Sequence, residues 1–183
     1  MSDLLKQSAE AYQRLSAFRY KFLLGRKGQS YELTIEFPAS AFWHLAGLHK
    51  LRIEAIQIKK HALQAVLEGK VKPVQTVNPD ILTRWQGICN LQELIESNNA
   101  VFRYRKHEFY GSNIRAEYLM TDLHTMFFID ENNPVSIFTP TSDQIQQVNK
   151  CPKLSTLKIV REKIATGESS LLYISPSYQK SIN

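Results

Sequence analysis

The stretch Phe18–Phe37, FRYKFLLGRKGQSYELTIEF, decides the fold. Large side chains alternate with more polar neighbours at Phe18, Tyr20, Phe22, Leu24, Tyr31, Leu33, Ile35 and Phe37. Because successive side chains of a strand point to opposite faces, this pattern predicts two half-buried strands. The segment Gly25–Ser30, GRKGQS, joins them and supplies a flexible turn. The whole stretch therefore predicts an antiparallel hairpin.

Helical patterns lie on both sides of this hairpin. Pro38 can begin a short helix, Gly69 can end a longer one, and Asn78 can cap a third whose first residue is Pro79. The predicted helices are Ser2–Ala17, Ala39–Leu48, Ile53–Leu67 and Pro79–Ser97.

The later part of the chain is rich in strand patterns. The predicted strands are Val101–Arg105, Ile114–Met120, His124–Ile129, Val135–Phe138, Leu154–Val160 and Leu171–Ile174. The polar segment Thr139–Lys153 is predicted as a loop or a short helix. Early helices followed by many strands predict an α+β fold, with the N-terminal hairpin and the helices packed on a mainly antiparallel sheet. We expect one domain over residues 1–183, with an N-terminal helix at 2–17.

Composition and charge restrict the class of protein. The chain has 183 residues, of which 43% are hydrophobic, and a net charge of +6. A basic chain attracts RNA, DNA or an anionic membrane, although many basic proteins bind no nucleic acid. The two cysteines, Cys89 and Cys151, fit a reducing compartment. The N-terminus lacks a signal-peptide pattern, and no apolar run reaches the roughly 18 residues of a membrane span. We therefore expect a cytoplasmic protein without a membrane partner.

The segment Phe42–Leu51, FWHLAGLHKL, is the first candidate for a functional site. Its apolar residues can anchor it in the core, which leaves His44, His49 and Lys50 as its polar members. Imidazole titrates near pH 6.5 and can act as a general acid or base. Cleavage of RNA through its 2′-hydroxyl needs a base, an acid and a cation for the phosphate. These three residues are of the right types.

The spacing of the two histidines argues against a simple pair. His44 and His49 lie about 140° apart on an ideal helix, so they point apart unless Gly47 bends or ends it. The segment thus favours His44 as a single catalytic candidate. In the alternative interpretation, His44 is a half-buried structural side chain, and His49 and Lys50 form a solvated helix end.

Three strand segments carry further candidate residues. In Phe102–Tyr110 basic and aromatic residues alternate, so Tyr104 could stack on a base while Arg103 holds a phosphate. If this segment is extended, Arg103, Arg105 and His107 share one face. An ordinary strand edge with solvated charges is an equally good explanation.

The other two segments are later. Arg115 could bind a phosphate and Glu117 could act as a base or orient a histidine, although a surface ion pair explains both as well. Lys158, in Thr156–Lys163, is a further candidate cation.

Several classes of site are excluded by missing motifs. The sequence contains no GxxxxGK[ST] phosphate loop, no HExxH, no cysteine-rich ligand set and no GxSxG. Its acidic residues are not clustered as in a magnesium-dependent nuclease. We therefore expect neither a metal nor a cofactor.

Four segments, taken in order, resemble a known family. They are Tyr31–Phe37, Phe42–Leu51, Ile114–Leu119 and Thr156–Lys158. The sequence resembles the phage-type Barnase–EndoU–colicin E5/D–RelE-like nuclease families, in particular the fourth of them, over roughly residues 20–175. The resemblance implies a helical start packed on an antiparallel sheet, and a metal-independent ribonuclease that is often a toxin from a phage or mobile element.

The resemblance also carries over individual residues. They are His44, Gly47, His49, Lys50, Arg115, Glu117 and Tyr118. Glu117 stands where the family usually has an aspartate-like residue, so its side chain is longer. The implied partners are RNA and a possible antitoxin or immunity protein. In the leading hypothesis RNA is bound in part through Tyr118, and Lys158 stabilises the developing charge. Two alternatives stay open: an RNA- or protein-binding module without catalysis, and an enzyme that transfers a nucleotide-derived group.

Overall fold

The predicted hairpin is present in the structure, a computed structural model that describes residues 2–51, 61–71, 77–109 and 112–182. Strands β1 (Phe18–Arg26) and β2 (Gln29–Ile35) pair in antiparallel fashion. The turn between them has only two residues, Lys27 and Gly28, with φ values of 50° and 77°, so β1 ends two residues later than predicted and β2 begins two residues earlier. Two consecutive positive φ angles are typical of a type I′ turn, whose twist matches that of the flanking strands.

The other elements follow in the predicted order. The strands are β3 (Ala100–Arg103), β4 (Tyr118–Thr121), β5 (Met126–Asp130), β6 (Asn133–Phe138), β7 (Lys153–Lys163) and β8 (Ser169–Ile174). The helices are α1 (Ser2–Leu15), α2 (Phe42–Leu45), α3 (Ala62–Leu67), α4 (Pro79–Glu96), α5 (Ser142–Val148) and α6 (Pro176–Ile182). Helix α4 begins as predicted, since the Asn78 side chain accepts a hydrogen bond of 2.9 Å from the Asp80 backbone N–H.

The described strands form one antiparallel sheet in the order β2-β1-β7-β3-β4-β5-β6, and β8 pairs with β7. Strand β7 joins the two halves, because its first residues pair with β3 and the rest pair with β1. The two ends of the sheet come together. The Glu36 backbone N–H, just beyond β2, donates a hydrogen bond of 2.9 Å to the carbonyl of Asn132 in the β5–β6 turn. The sheet is therefore curled, and the α+β prediction with a mainly antiparallel sheet is confirmed.

Two apolar cores lie on the two faces of this sheet. The main core contains α1 and α4, with Tyr12 and Trp85 fully buried. The end of α4 is tied to the sheet by Glu96, whose carboxylate accepts 2.9 Å from the Tyr20 hydroxyl and 3.1 Å from Arg161. A smaller core on the other face packs α5 against Phe128 and its neighbours. Helix α4 thus has a fixed position across the sheet.

Three predicted elements need correction. The single helix Ala39–Leu48 is wrong, because a 3₁₀ turn (Ala39–Ala41), α2 and a second 3₁₀ turn (Leu48–Lys50) replace it. The strand Val101–Arg105 ends at Arg103, and the strand Ile114–Met120 begins only at Tyr118.

The remaining predictions concern helices. Residues 52–60 of the predicted helix Ile53–Leu67 lie outside the described residues, and its last part is α3. Thr139–Lys153 does contain a short helix, α5, which begins with a capping box between Thr141 and Gln144. Helix α6 was not predicted. Among the helices that the structure describes, none has the length and apolar character to cross a membrane.

Candidate active site

The segment Phe42–Leu51 forms two short turns on an apolar base. Helix α2 has only four residues, and Gly47 follows it with φ 68° and ψ 19°. This left-handed conformation suits glycine, which has no Cβ. A 3₁₀ turn then places His49 and Lys50 at its end. The segment is held in the core by its buried residues Phe42, Leu45, Ala46, Gly47 and Leu48.

His44 and His49 lie side by side at the surface. Their ring centroids are 5.1 Å apart, with an angle of 46° between the ring planes, and both side chains are exposed. The prediction that the two histidines point apart is wrong, because Gly47 ends the helix on which the estimate of 140° depends. His44 is exposed, not half-buried as the alternative interpretation had it. Lys50 is exposed beside the pair.

The surroundings of His49 favour its neutral form. Partial burial lowers the pKa of His49, and the positive charges of His44, Lys50 and Arg84 lower it further. A hydrogen bond from its ring to the Trp43 backbone carbonyl acts in the opposite direction and raises the pKa. The net effect is a pKa below the ordinary imidazole value of 6.5. His49 is therefore a neutral base at neutral pH.

Arg84, on α4, is the site residue that sequence reasoning missed. Its Nη1 lies 3.5 Å from the Leu45 carbonyl and 3.3 Å from the Ser136 hydroxyl, so it joins α2 to strand β6. Burial lowers the pKa of its guanidinium, while the charge of Asp80 raises it. A signal was present in the sequence: Arg84 is a cation at the helical position between the buried residues Ile81 and Ile88.

A second group of predicted residues lies where β3 ends and β4 begins. The Arg103 guanidinium carbon is 4.8 Å from the centre of the Tyr118 ring, and Arg103 Nη2 is 3.9 Å from Glu117 Oε1. Arg103 and Tyr118 are directly opposite each other in the β3–β4 register. Tyr118 is buried beneath the guanidinium, which leaves Arg103 and Glu117 as the exposed members of this group.

The other predicted residues lie elsewhere. Arg115 is exposed in the irregular segment before β4. Tyr104 is buried against the rings of Phe109 and Phe128, so it offers no open ring face to a base. Lys158 follows the alternation of β7 onto the face opposite the buried Ile159, where it lines a groove with Lys21 and Tyr178.

The Phe102–Tyr110 segment does not form one extended face. The strand ends at Arg103, and Lys106–Glu108 forms a 3₁₀ turn. Arg103, Arg105 and His107 therefore do not share the face that an uninterrupted strand would provide, and that prediction is wrong.

The comparison with known families adds the class of protein. The sequence model of one family, described as phage-Barnase-EndoU-ColicinE5/D-RelE like nuclease 4, matches residues 4–175 of this chain. The chain belongs to this nuclease-like family. The match includes α1 as well as the hairpin and the curled sheet, and so confirms the predicted family and fold. No match is found among curated proteins or among solved structures.

Family membership makes phosphodiester chemistry the relevant test of the site. In this chain two exposed imidazoles lie at one surface turn, next to an exposed lysine and a half-buried arginine. Such a set can remove a proton, donate a proton and neutralise a phosphate. Within the described part of the chain, no group of three or more His, Cys, Asp or Glu side chains could hold a metal ion.

Proposed function

We propose that this chain is a metal-independent endoribonuclease of toxin type, with His44 and His49 as its acid–base pair. The observation that carries the proposal is the exposed imidazole pair with ring centroids 5.1 Å apart. The family supplies the nuclease class, and the net charge of +6 supports a polyanionic substrate. RNA rather than DNA is chosen because a 2′-hydroxyl gives the imidazoles an internal nucleophile to activate.

The proposed reaction transfers a phosphoryl group within the RNA strand. Neutral His49 takes the proton of the 2′-hydroxyl, whose oxygen attacks the adjacent phosphorus. His44, acting as the general acid, gives a proton to the departing 5′-oxygen, so that the P–O5′ bond breaks and a 2′,3′-cyclic phosphate remains. Lys50 binds the phosphate backbone beside the pair.

The second group is proposed to bind the strand beyond the scissile bond. Arg103 is exposed and stacks on Tyr118, so its guanidinium can hold a phosphate while its plane stays fixed. Glu117 positions this guanidinium, and Arg115 extends the basic surface. Tyr104 is left out of the proposal because it is buried, and Lys158 because it lies on the other face of the sheet.

The test is cleavage of RNA in EDTA. Purified protein is incubated with transfer RNA and mixed RNA, and the termini of the products are identified. We expect cyclic phosphate ends, and rates about 10²–10⁴-fold lower for His44→Ala and His49→Ala. His124→Ala, which removes an exposed histidine from the β4–β5 turn, is the matched control and should cleave as the wild type does.

Two results would count against the proposal. One is intact RNA with the wild type under all conditions, and the other is equal cleavage by wild type and His44→Ala. Binding of RNA without cleavage would favour the alternative of a non-catalytic module on this fold. Cleavage that appears only with an added divalent ion would disprove metal independence.

The toxin role is tested in cells. Induction of the wild type should arrest growth and fragment cellular RNA, and His44→Ala should do neither at the same protein level. A neutralising antitoxin or immunity protein is the proposed partner. Growth that is unaffected by an active wild-type enzyme would remove the toxin role and leave the ribonuclease proposal standing.

A further inference from the structure

The side chain of Arg84 lies against the turn that joins the two histidines. A Cβ atom placed on Gly47 would be 3.1 Å from Arg84 Cδ and 3.7 Å from its Nε. The arginine therefore packs directly on the backbone between His44 and His49. Only a glycine at this position leaves room for it without a shift of the arginine side chain.

Within the part of the chain that the structure describes, the hydrogen bonds of Arg84 use only one nitrogen of its guanidinium, Nη1. Its hydrogen bonds reach a carbonyl at 3.5 Å and a hydroxyl at 3.3 Å, both of them long, whereas a guanidinium has five N–H donors. Across the described ranges no carboxylate lies within salt-bridge distance of it. Arg19 and Arg161, which are also half-buried, each face a glutamate at such a distance.

Among the described residues, no carboxylate lies within salt-bridge distance to offset the cost of burying this cation, and the charge of Asp80 acts on it only from farther away. An anion that binds there would recover this cost, since desolvation strengthens a charge-assisted hydrogen bond. The planar fork of a guanidinium fits two oxygens of a phosphate, which an ammonium group does not. Arg84 comes from α4, so it is held more rigidly than the exposed Lys50.

We infer that Arg84 binds the scissile phosphate, and that its guanidinium donates hydrogen bonds to a non-bridging oxygen beside His44 and His49. The inference rests on the proposed function for the identity of the phosphate. Arg84 is then a catalytic residue, because the charge on that oxygen grows as the 2′-oxygen attacks.

The sharpest test replaces one non-bridging oxygen by sulfur. An RNA with a single cleavable bond is prepared as its two phosphorothioate diastereomers, and both are cleaved by wild type and by Arg84→Lys. One diastereomer should be cleaved about tenfold or more slowly by the wild type, because sulfur accepts the guanidinium hydrogen bonds poorly. Arg84→Lys should be slower on the all-oxygen RNA and should lose most of this difference between diastereomers.

The inference is overturned if the wild type cleaves both diastereomers at the rate of the all-oxygen RNA. It is also overturned if Arg84→Lys, folded by circular dichroism, keeps the full diastereomer preference. The wild-type measurement does not depend on the folding of any variant, so a misfolded variant leaves the inference testable.

A second measurement separates this inference from the proposed function. A 2′-O-methyl RNA cannot be cleaved through its 2′-position, so its binding reports on the phosphate site alone. Arg84→Gln should weaken this binding about tenfold and reduce the salt slope by about one. Arg26→Gln, which removes another half-buried arginine, controls for net charge and should have a smaller effect.

The outcomes are distinguishable. If the wild type binds but does not cleave, and Arg84→Gln alone weakens binding, the ribonuclease proposal fails and the phosphate site stands. Equal losses for Arg84→Gln and Arg26→Gln would overturn the phosphate site. So would a wild type that does not bind the 2′-O-methyl RNA.

Discussion

At the scale of single residues, the chemistry of the site depends on which imidazole is neutral. The pKa of His49 is lowered by partial burial first and by the electrostatic effects of His44, Lys50 and Arg84 next. A base with a lowered pKa remains unprotonated at neutral pH, while its cationic neighbours attract a phosphate. In the proposed mechanism, the same charges would therefore serve both the proton transfer and the binding of the substrate.

This pKa gives a prediction for pH dependence. Protonation inactivates a base, so kcat/KM for RNA cleavage should fall on acidification through a pKa below 6.5. Lys50→Ala removes one of the charges that lower the pKa, so the acid limb of the profile should move upward. The pH–rate profile, together with an NMR titration of His49, measures both shifts.

The lowered pKa of His49 also needs a control variant, and it predicts how the stability of the protein depends on pH. Lys153→Ala removes an exposed lysine at the start of β7 and should leave the acid limb in place. Because the pKa of His49 is lower in the folded state, its contribution to stability is present above pH 6.5 and is lost as pH falls through the folded value. An acid limb that moves downward in Lys50→Ala would contradict the proposed role of these charges.

At the scale of elements, Gly47 separates two turns that a continuous helix would have merged. Any L-residue with a side chain is disfavoured at its φ of 68°. Here the restriction shapes the candidate site, because the break turns His49 back toward His44 and admits the Arg84 side chain. The sequence pattern predicts one continuous helix, and a continuous helix cannot turn back on itself in this way.

Gly47→Ala should therefore lose both stability and activity. The left-handed φ costs about 1–2 kcal/mol for an L-residue, and crowding of Arg84 adds to that cost. Gly69→Ala is a close control, since Gly69 follows α3 with φ 70° and a Cβ atom added there would have no neighbouring atom within 4 Å. Urea unfolding and RNA cleavage are measured for both variants.

The two glycine variants separate strain from crowding. Gly69→Ala should lose only the cost of the φ angle and should cleave at the wild-type rate. Equal stability losses in the two variants, with activity kept in both, would mean that the contact between Gly47 and Arg84 has no role.

At the scale of the whole molecule, the curled sheet is closed by residues far apart in sequence. Phe37 lies just beyond β2, and its ring contacts those of Tyr12 on α1, Tyr20 on β1 and Phe127 on β5, with centroid distances of 5.7, 6.3 and 6.3 Å. The chain continues from this point into the turns that carry the histidines. The closure of the sheet therefore positions the candidate active site.

Phe37→Ala should strongly destabilise the protein. Phe37 is 3% exposed, and removal of a buried phenylalanine ring costs about 3–5 kcal/mol. Leu171→Ala is the control, because Leu171 is 57% exposed and its loss should change the free energy of unfolding by less than about 0.5 kcal/mol. Both are measured by urea denaturation, and a loss below about 1 kcal/mol for Phe37→Ala would contradict this role in closing the sheet.

The sequence by itself determined the elements whose causes are local. The period-2 alternation of Phe18–Phe37 specified the hairpin, and Asn78 with Pro79 specified the start of α4, since neighbouring residues determine the geometry of a turn or a cap. The same local information identified His44, His49 and Lys50 as residue types suited to acid–base chemistry.

Only the tertiary structure decided how these side chains meet. The convergence of His44 and His49 depends on a left-handed Gly47, which is held by buried neighbours and by Arg84 from a helix far along the chain. The burial of Tyr104 and the placement of Lys158 on the other face likewise result from sheet pairing. Long-range packing selects among local conformations that differ by only a few kcal/mol, so a pattern confined to neighbouring residues cannot specify the outcome.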